Sequence, residues 1–211
     1  MTGAAQITTA LMAVADAMDA NRDHLCKLDG VIGDADHGIA MAGGFGAVRA
    51  ALADLPATAT PTDVFNTAAR AFLNAVGASS GPLYATAFMR AGAAVKGKTA
   101  LDDGDAAPLI EAMAAGIAHR GKASPGDKTM LDAWQPATAA AQAAADQPFA
   151  DVWATAAQAA EDGAGATTAM QARLGRAARL GARSVGHIDP GAASAALLIQ
   201  AMAKAFQDTT R

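Results

Sequence analysis

Apolar residues recur at helical spacing from one end of the chain to the other. Ile7, Leu11, Val14 and Met18 share one face and predict a first helix over 6–24. A loop is expected over 26–38, then a helix over 38–55 that stops before Pro56. Thr60-Pro61-Thr62-Asp63 is a start signal: a capping threonine, a proline at the first helical position and an early acid facing the helix dipole. The helix it opens carries Val64, Phe65, Phe72 and Leu73 and ends near Gly77. A fourth helix is expected over 81–95. A fifth is capped by Asp105 and ends near Gly121, a sixth covers 129–146, and a seventh opens at Pro148 and reaches Arg173. The loop 181–190 precedes a last helix over 191–209, with Leu198, Met202 and Phe206 four apart.

These are eight helices in an all-α chain. Most connections are short, so consecutive helices should lie antiparallel, as in an up-down bundle. No linker-like stretch divides the sequence, and a single domain over 1–211 is expected. The loops with unusual chemistry alternate with plain ones. They are 26–38, 77–81, 121–128 and 181–191, each about two helices from the next. Alternate connections of an up-down bundle emerge at the same end, so these four should meet at one rim. Convergent polar loops on a rigid scaffold mark a candidate active site.

Composition supports the helical reading. Alanine dominates, and the residues that favour strands are scarce. A net charge of −4 without a basic patch argues against nucleic-acid binding. The single cysteine, Cys26, excludes an internal disulfide framework and reads as a small buried side chain rather than a reactive thiol. The first residues lack a basic start and carry Asp16 and Asp19, and no apolar run reaches the length of a membrane span. A cytoplasmic location, with no membrane or nucleic-acid partner, is the expectation.

Chemistry concentrates in Leu28-Asp29-Gly30-Val31-Ile32-Gly33-Asp34-Ala35-Asp36-His37-Gly38. Asp29, Asp34 and Asp36 would repel one another unless a cation neutralised them. Oxygen ligands select magnesium or calcium over zinc, and no paired-cysteine or paired-histidine spacing offers a zinc site. The EF-hand pattern fails because its last-position glutamate is missing. Magnesium is usually shared between a few carboxylates and substrate phosphates, and the helix start at Gly38 offers backbone N–H groups to phosphate oxygens. The plainer alternative is a solvated acidic turn that caps a helix.

A second motif points elsewhere. Gly92-Ala93-Ala94-Val95-Lys96-Gly97-Lys98-Thr99 matches the P-loop pattern. That mechanism needs a strand before the loop and a helix after it. Here helical sequence precedes the motif and a turn, Leu101-Asp102-Asp103-Gly104, follows it, so the match reads as coincidence.

The segment Ile32-Gly33-Asp34-Ala35-Asp36-His37-Gly38, with Met41-Ala42-Gly43-Gly44-Phe45 after it, resembles the L subunit of dihydroxyacetone kinases. Three more segments agree in order: Gly77-Ala78-Ser79-Ser80-Gly81-Pro82-Leu83, the run Gly121-Lys122-Ala123-Ser124-Pro125-Gly126-Asp127-Lys128-Thr129-Met130-Leu131-Asp132, and Gly186-His187-Ile188-Asp189-Pro190-Gly191-Ala192. The resemblance implies an eight-helix antiparallel barrel with ADP or ATP and two magnesium ions at one rim. It implies Asp29, Asp34 and Asp36 as metal ligands. His37, Gly38, Ile39 and Ala40 would contact phosphate, and Ala78 and Ser79 would lie beside the nucleotide. Gly121 and Met130 would meet adenine, Arg176 would be a basic contact, and Asp189, Pro190 and Gly191 would complete the last loop.

The same resemblance implies a kinase subunit that is inactive alone. A separate K subunit would bind the small ketose, dihydroxyacetone or a relative such as erythrulose. The phosphoryl donor would be free ATP or a phosphotransferase-system subunit acting on bound ADP. His24, His119 and His187 read as capping, surface or loop residues rather than as a ketose site. The alternative function is a nucleotide-binding regulatory subunit that acts through a transcription factor.

Overall fold

Nine α-helices form among residues 1–209, the part of the chain that the computed structural model describes. Helix α1 (Ala4–Ala20) ends sooner than its apolar face suggests. At Asn21 the side-chain amide donates to the Ala17 carbonyl at 2.9 Å, a local bond that competes with the helix. A new helix, α2 (Arg22–Ile32), starts there and buries Leu25, Asp29 and Ile32. The loop expected over 26–38 is therefore mostly helix, and only 33–36 is irregular. Helix α3 (His37–Ala53) follows.

Thr60 caps α4 (Pro61–Ala75) as expected. Its amide donates to the Asp63 carboxylate at 2.9 Å, and the Asp63 amide donates back to Thr60 Oγ1 at 3.3 Å. Helix α5 (Ser80–Ala94) then leads to α6 (Ala106–Gly121). Asp105 stands at the start of α6, but its carboxylate makes no cap bond. It accepts instead from the Asp102 amide and from Lys98. Helix α7 (Leu131–Ala143) contains Pro136, and α8 (Phe149–Ala166) stops well before Arg173. Irregular chain with two 3₁₀ stretches, Thr167–Ala169 and Ala177–Ser184, leads to α9 (Pro190–Asp208).

The packing order explains why nine helices still make an eight-helix barrel. Helices α1, α3, α4, α5, α6, α7, α8 and α9 each pack against the next, and α9 returns to α1. Helix α2 is the supernumerary one and lies against α3 and α9. The only strands among the described residues, β1 (Thr2–Gly3) and β2 (Ala100–Leu101), form a short antiparallel pair.

Small alanines line the helix contacts, and large side chains fill the centre. Phe45, Phe72, Tyr84 and Phe88 form one aromatic cluster with ring centroids 5.0 to 6.5 Å apart. Phe149, Trp153 and Phe206 form a second. Cys26, expected to be buried, is only partly so. No helix among the described residues is long and apolar enough to cross a membrane.

Candidate functional site

Residues from all four of the unusual loops line one cleft of about 450 Å³. Its walls come from the α2–α3 turn, the α4–α5 turn, the α6–α7 loop and the long α8–α9 connection. In the ring these are alternate connections, so topology delivers the convergence that the sequence implied.

Asp29 reaches the cleft from the last turns of α2. One carboxylate oxygen accepts from the amides of Asp36 at 3.0 Å and His37 at 3.2 Å. The side chain thus satisfies donors at the start of α3 from a neighbouring helix. Gly33 makes this possible, because a β-carbon there would lie 2.0 Å from the other oxygen, Oδ1. Between Asp34 and Asp36, Ala35 adopts a left-handed backbone with φ of 64°, which costs an L-residue about 1 kcal/mol. This tight turn sets both flanking carboxylates beside Asp29.

Oxygens of Asp29, Asp34 and Asp36 lie within 4.8 Å of one another. An octahedral magnesium ion with ligands near 2.1 Å needs oxygens about 3 to 4 Å apart, so small side-chain rotations would close the set. Asp29 is buried, whereas the other two are exposed. Burial pushes the Asp36 carboxyl up from its ordinary value, the charge of Asp34 adds to this, and Arg176 opposes both. Arg176 pairs closely with Asp34 and lies 3.7 Å from Asp36. The donor set and its excess of negative charge suit a hard divalent cation.

At the start of α3, the amides of Asp36 and His37 are taken by Asp29, and the Ala40 amide by the Asp36 carbonyl at 2.9 Å. The amides of Gly38 and Ile39 have no acceptor among the described residues. Gly38 itself does not line the cleft. It packs where α3 crosses α2, and a β-carbon would lie 1.9 Å from the Arg22 carbonyl oxygen. The Ile39 side chain points to solvent, also outside the cleft. His37 and Ala40 line it. The His37 imidazole is held below its ordinary pKa by burial, with Asp29 and Asp36 opposing, and its Nε2 lies 2.9 Å from Ser194 Oγ.

The remaining expected residues all reach the cleft: Ala78, Ser79, Gly121, Met130, Arg176, Asp189, Pro190 and Gly191. Leu83, Ile117 and Met130 give one wall an apolar lining. Asp189 caps α9 by accepting from the Ala192 amide at 2.8 Å, and burial pushes its carboxyl up to about 7. His24, His119 and His187 are exposed and line none of it. Lys98 of the P-loop match binds Asp105 at 2.5 Å, and neither residue lines the cleft.

Three residues carry structural weight that the sequence did not signal. Asp132 shapes the α6–α7 loop by accepting from the amides of Gly126 at 2.5 Å and Thr129 at 2.8 Å. Lys128 is buried and binds three backbone carbonyls. Ser184 accepts from the Ala172 amide within the α8–α9 connection. A buried lysine whose partners are carbonyls leaves no trace in residue types, because every residue has a carbonyl.

The DAK2-domain family model matches residues 31–204 of the chain. The chain belongs to the DAK2-domain family. Among curated relatives, this DAK2 domain is 42% identical over 182 residues to the ADP-binding subunit DhaL of PEP-dependent dihydroxyacetone kinase 1 from Listeria innocua, covering 86% of each chain. It is 38% identical over 207 residues to the corresponding Escherichia coli subunit, covering 96% of this chain and 97% of that one. Among solved structures it is similar to the dihydroxyacetone kinase of C. freundii in complex with AMP-PNP and Mg2+. That match has a TM-score of 0.72 and 26% identity and covers 96% of this chain. This DAK2 domain spans only 34% of that longer kinase.

Proposed function

We propose that this chain is the nucleotide-holding subunit of a dihydroxyacetone-type kinase. It binds ADP or ATP with magnesium and donates the terminal phosphoryl group to a small ketose on a separate K subunit. The observation that carries this reading is the convergence of Asp29, Asp34 and Asp36 beside the open helix start of α3, at the polar end of a partly apolar cleft. The names of the DhaL relatives and the AMP-PNP–Mg2+ complex of the C. freundii kinase agree with it.

Bound magnesium supplies charge neutralisation for phosphoryl transfer, a reaction that depends mostly on positioning. Asp29, Asp34 and Asp36 would hold it. The amides of Gly38 and Ile39 face the helix end, where phosphate oxygens bind well. His37, Ala40, Ala78 and Ser79 flank the phosphate path. Gly121 and Met130 both line the cleft, and Met130 would form a soft apolar cover for a base. Asp189, Pro190 and Gly191 complete the lining at the start of α9. Arg176, paired with Asp34, lies where its guanidinium could also meet phosphate.

Nothing in the cleft resembles a ketose site, and turnover therefore requires the K subunit. The PEP-dependent names of the relatives favour ADP as a resident cofactor, rephosphorylated in place by a phosphotransferase-system protein. The test is reconstitution with a K subunit, dihydroxyacetone and either ATP or a phosphotransferase-system donor. Ketose phosphorylation that needs both subunits supports the reading. Turnover by this chain alone contradicts it.

A further inference from the structure

The connection between α8 and α9 leaves the barrel, crosses the cleft and returns to nearly the point where it left. Both of its feet meet one group. The Lys128 ammonium donates to the carbonyls of Thr167 at 2.7 Å and Met170 at 3.1 Å on the outgoing side, and of His187 at 2.5 Å on the return. An ammonium has three donors, and here all three are used. The side chain is 1% exposed. Its backbone sits at φ of 61°, a conformation that lysine rarely adopts, which turns the side chain inward from a loop otherwise facing solvent.

Between the two feet, residues 171–186 form a strap whose middle carries Arg176 against Asp34 and Asp36. The strap shares two more ties with the Lys128 loop: the Arg173 amide donates to the Asp127 carbonyl at 3.1 Å, and the Arg173 guanidinium lies 3.8 Å from the Asp127 carboxylate.

We infer that Lys128 is a positioning residue for the nucleotide site: it pins both ends of the 171–186 strap and so sets Arg176 over the metal cluster. This inference rests on the nucleotide reading of the cleft. Lys128 also borders the cleft, but its three ammonium donors are taken by backbone carbonyls, so in this role it acts through the strap. An arginine would not replace it, because a flat guanidinium cannot aim at three carbonyls around one nitrogen.

The strap carries its own reporters. Arg173, Arg176, Arg179 and Arg183 are all exposed trypsin sites, whereas Arg70 in α4 and Arg90 in α5 serve as helical controls. In Lys128→Met, and more mildly in Lys128→Gln, cleavage at the four strap arginines should rise about tenfold, with Arg70 and Arg90 unchanged. Affinity for magnesium–ADP should fall, and adding Arg176→Ala to Lys128→Met should cost nothing further, because the arginine is already displaced. Cleavage that rises everywhere, or helicity lost in both variants, would assign Lys128 to the global fold and overturn the inference. So would a full additional penalty for Arg176→Ala. If the wild type binds no magnesium–ADP, the nucleotide reading fails, while the strap cleavage pattern still decides what Lys128 pins.

Discussion

A β-carbon on Gly33 would lie 2.0 Å from Oδ1 of Asp29, so the carboxylate that caps α3 occupies space that only glycine leaves open. In this position Asp29 both holds the helix start and faces Asp34 and Asp36. Gly33→Ala should push it out. Magnesium affinity should fall at least about tenfold, as it does when the support of a metal ligand is removed. Circular dichroism should still report the full helical content. Unchanged magnesium affinity in isothermal titration would show that Asp29 is not held in this way.

Asp189 gives the fold a pH dependence of defined sign. Its carboxyl moves from 3.8 to about 7 on burial. Between those values the folded chain keeps a proton that the unfolded chain has released. The stability this group contributes is therefore full below about pH 4 and is lost as pH rises toward 7, with a slope of at most about 1.4 kcal/mol per pH unit. Asp189→Asn keeps an oxygen for the Ala192 amide but cannot titrate. Thermal unfolding of the wild type should weaken relative to this variant between pH 4 and pH 7. Parallel curves across that range would contradict the assignment.

Lys98 separates the two nucleotide motifs in the sequence. Its ammonium is occupied by Asp105, away from the cleft. Lys98→Ala should leave ADP affinity unchanged in the same titration. A large loss would restore the P-loop reading.

What could be read in advance divides along a physical line. The Thr60–Asp63 cap was visible because its partners are three residues apart and of characteristic type. The single rim was visible because loop alternation in an up-down bundle is a matter of chain topology, and inserting α2 between α1 and α3 does not disturb it. Helix α2 itself was hidden. Its buried face runs Leu25, Asp29, Ile32, and the middle position is an acid next to Gly30, so the pattern looked like a loop. The buried carboxylate is explained only by the amides of Asp36 and His37, which come from the next helix.

The site divides in the same way. The three aspartates could be named because like charges in one short segment require an explanation. Gly38 and Ile39 are expected beside phosphate through the backbone amides of a helix start. Those amides have no acceptor among the described residues, while the side-chain positions face α2 and solvent. The role of Lys128 is not legible in residue types, because a lysine in a Gly/Pro loop normally reads as solvated and its three acceptors are backbone atoms far along the chain.

The most direct test of the account is ADP binding by isothermal titration, with and without magnesium, in the wild type and in Asp34→Ala. Asp34 is an exposed carboxylate of the proposed metal set whose loss removes no helix cap, so the fold should survive. The wild type should bind ADP tightly and only with magnesium, and Asp34→Ala should lose about a hundredfold or more at unchanged helicity. Binding that ignores magnesium, or that Asp34→Ala leaves intact, would contradict the account.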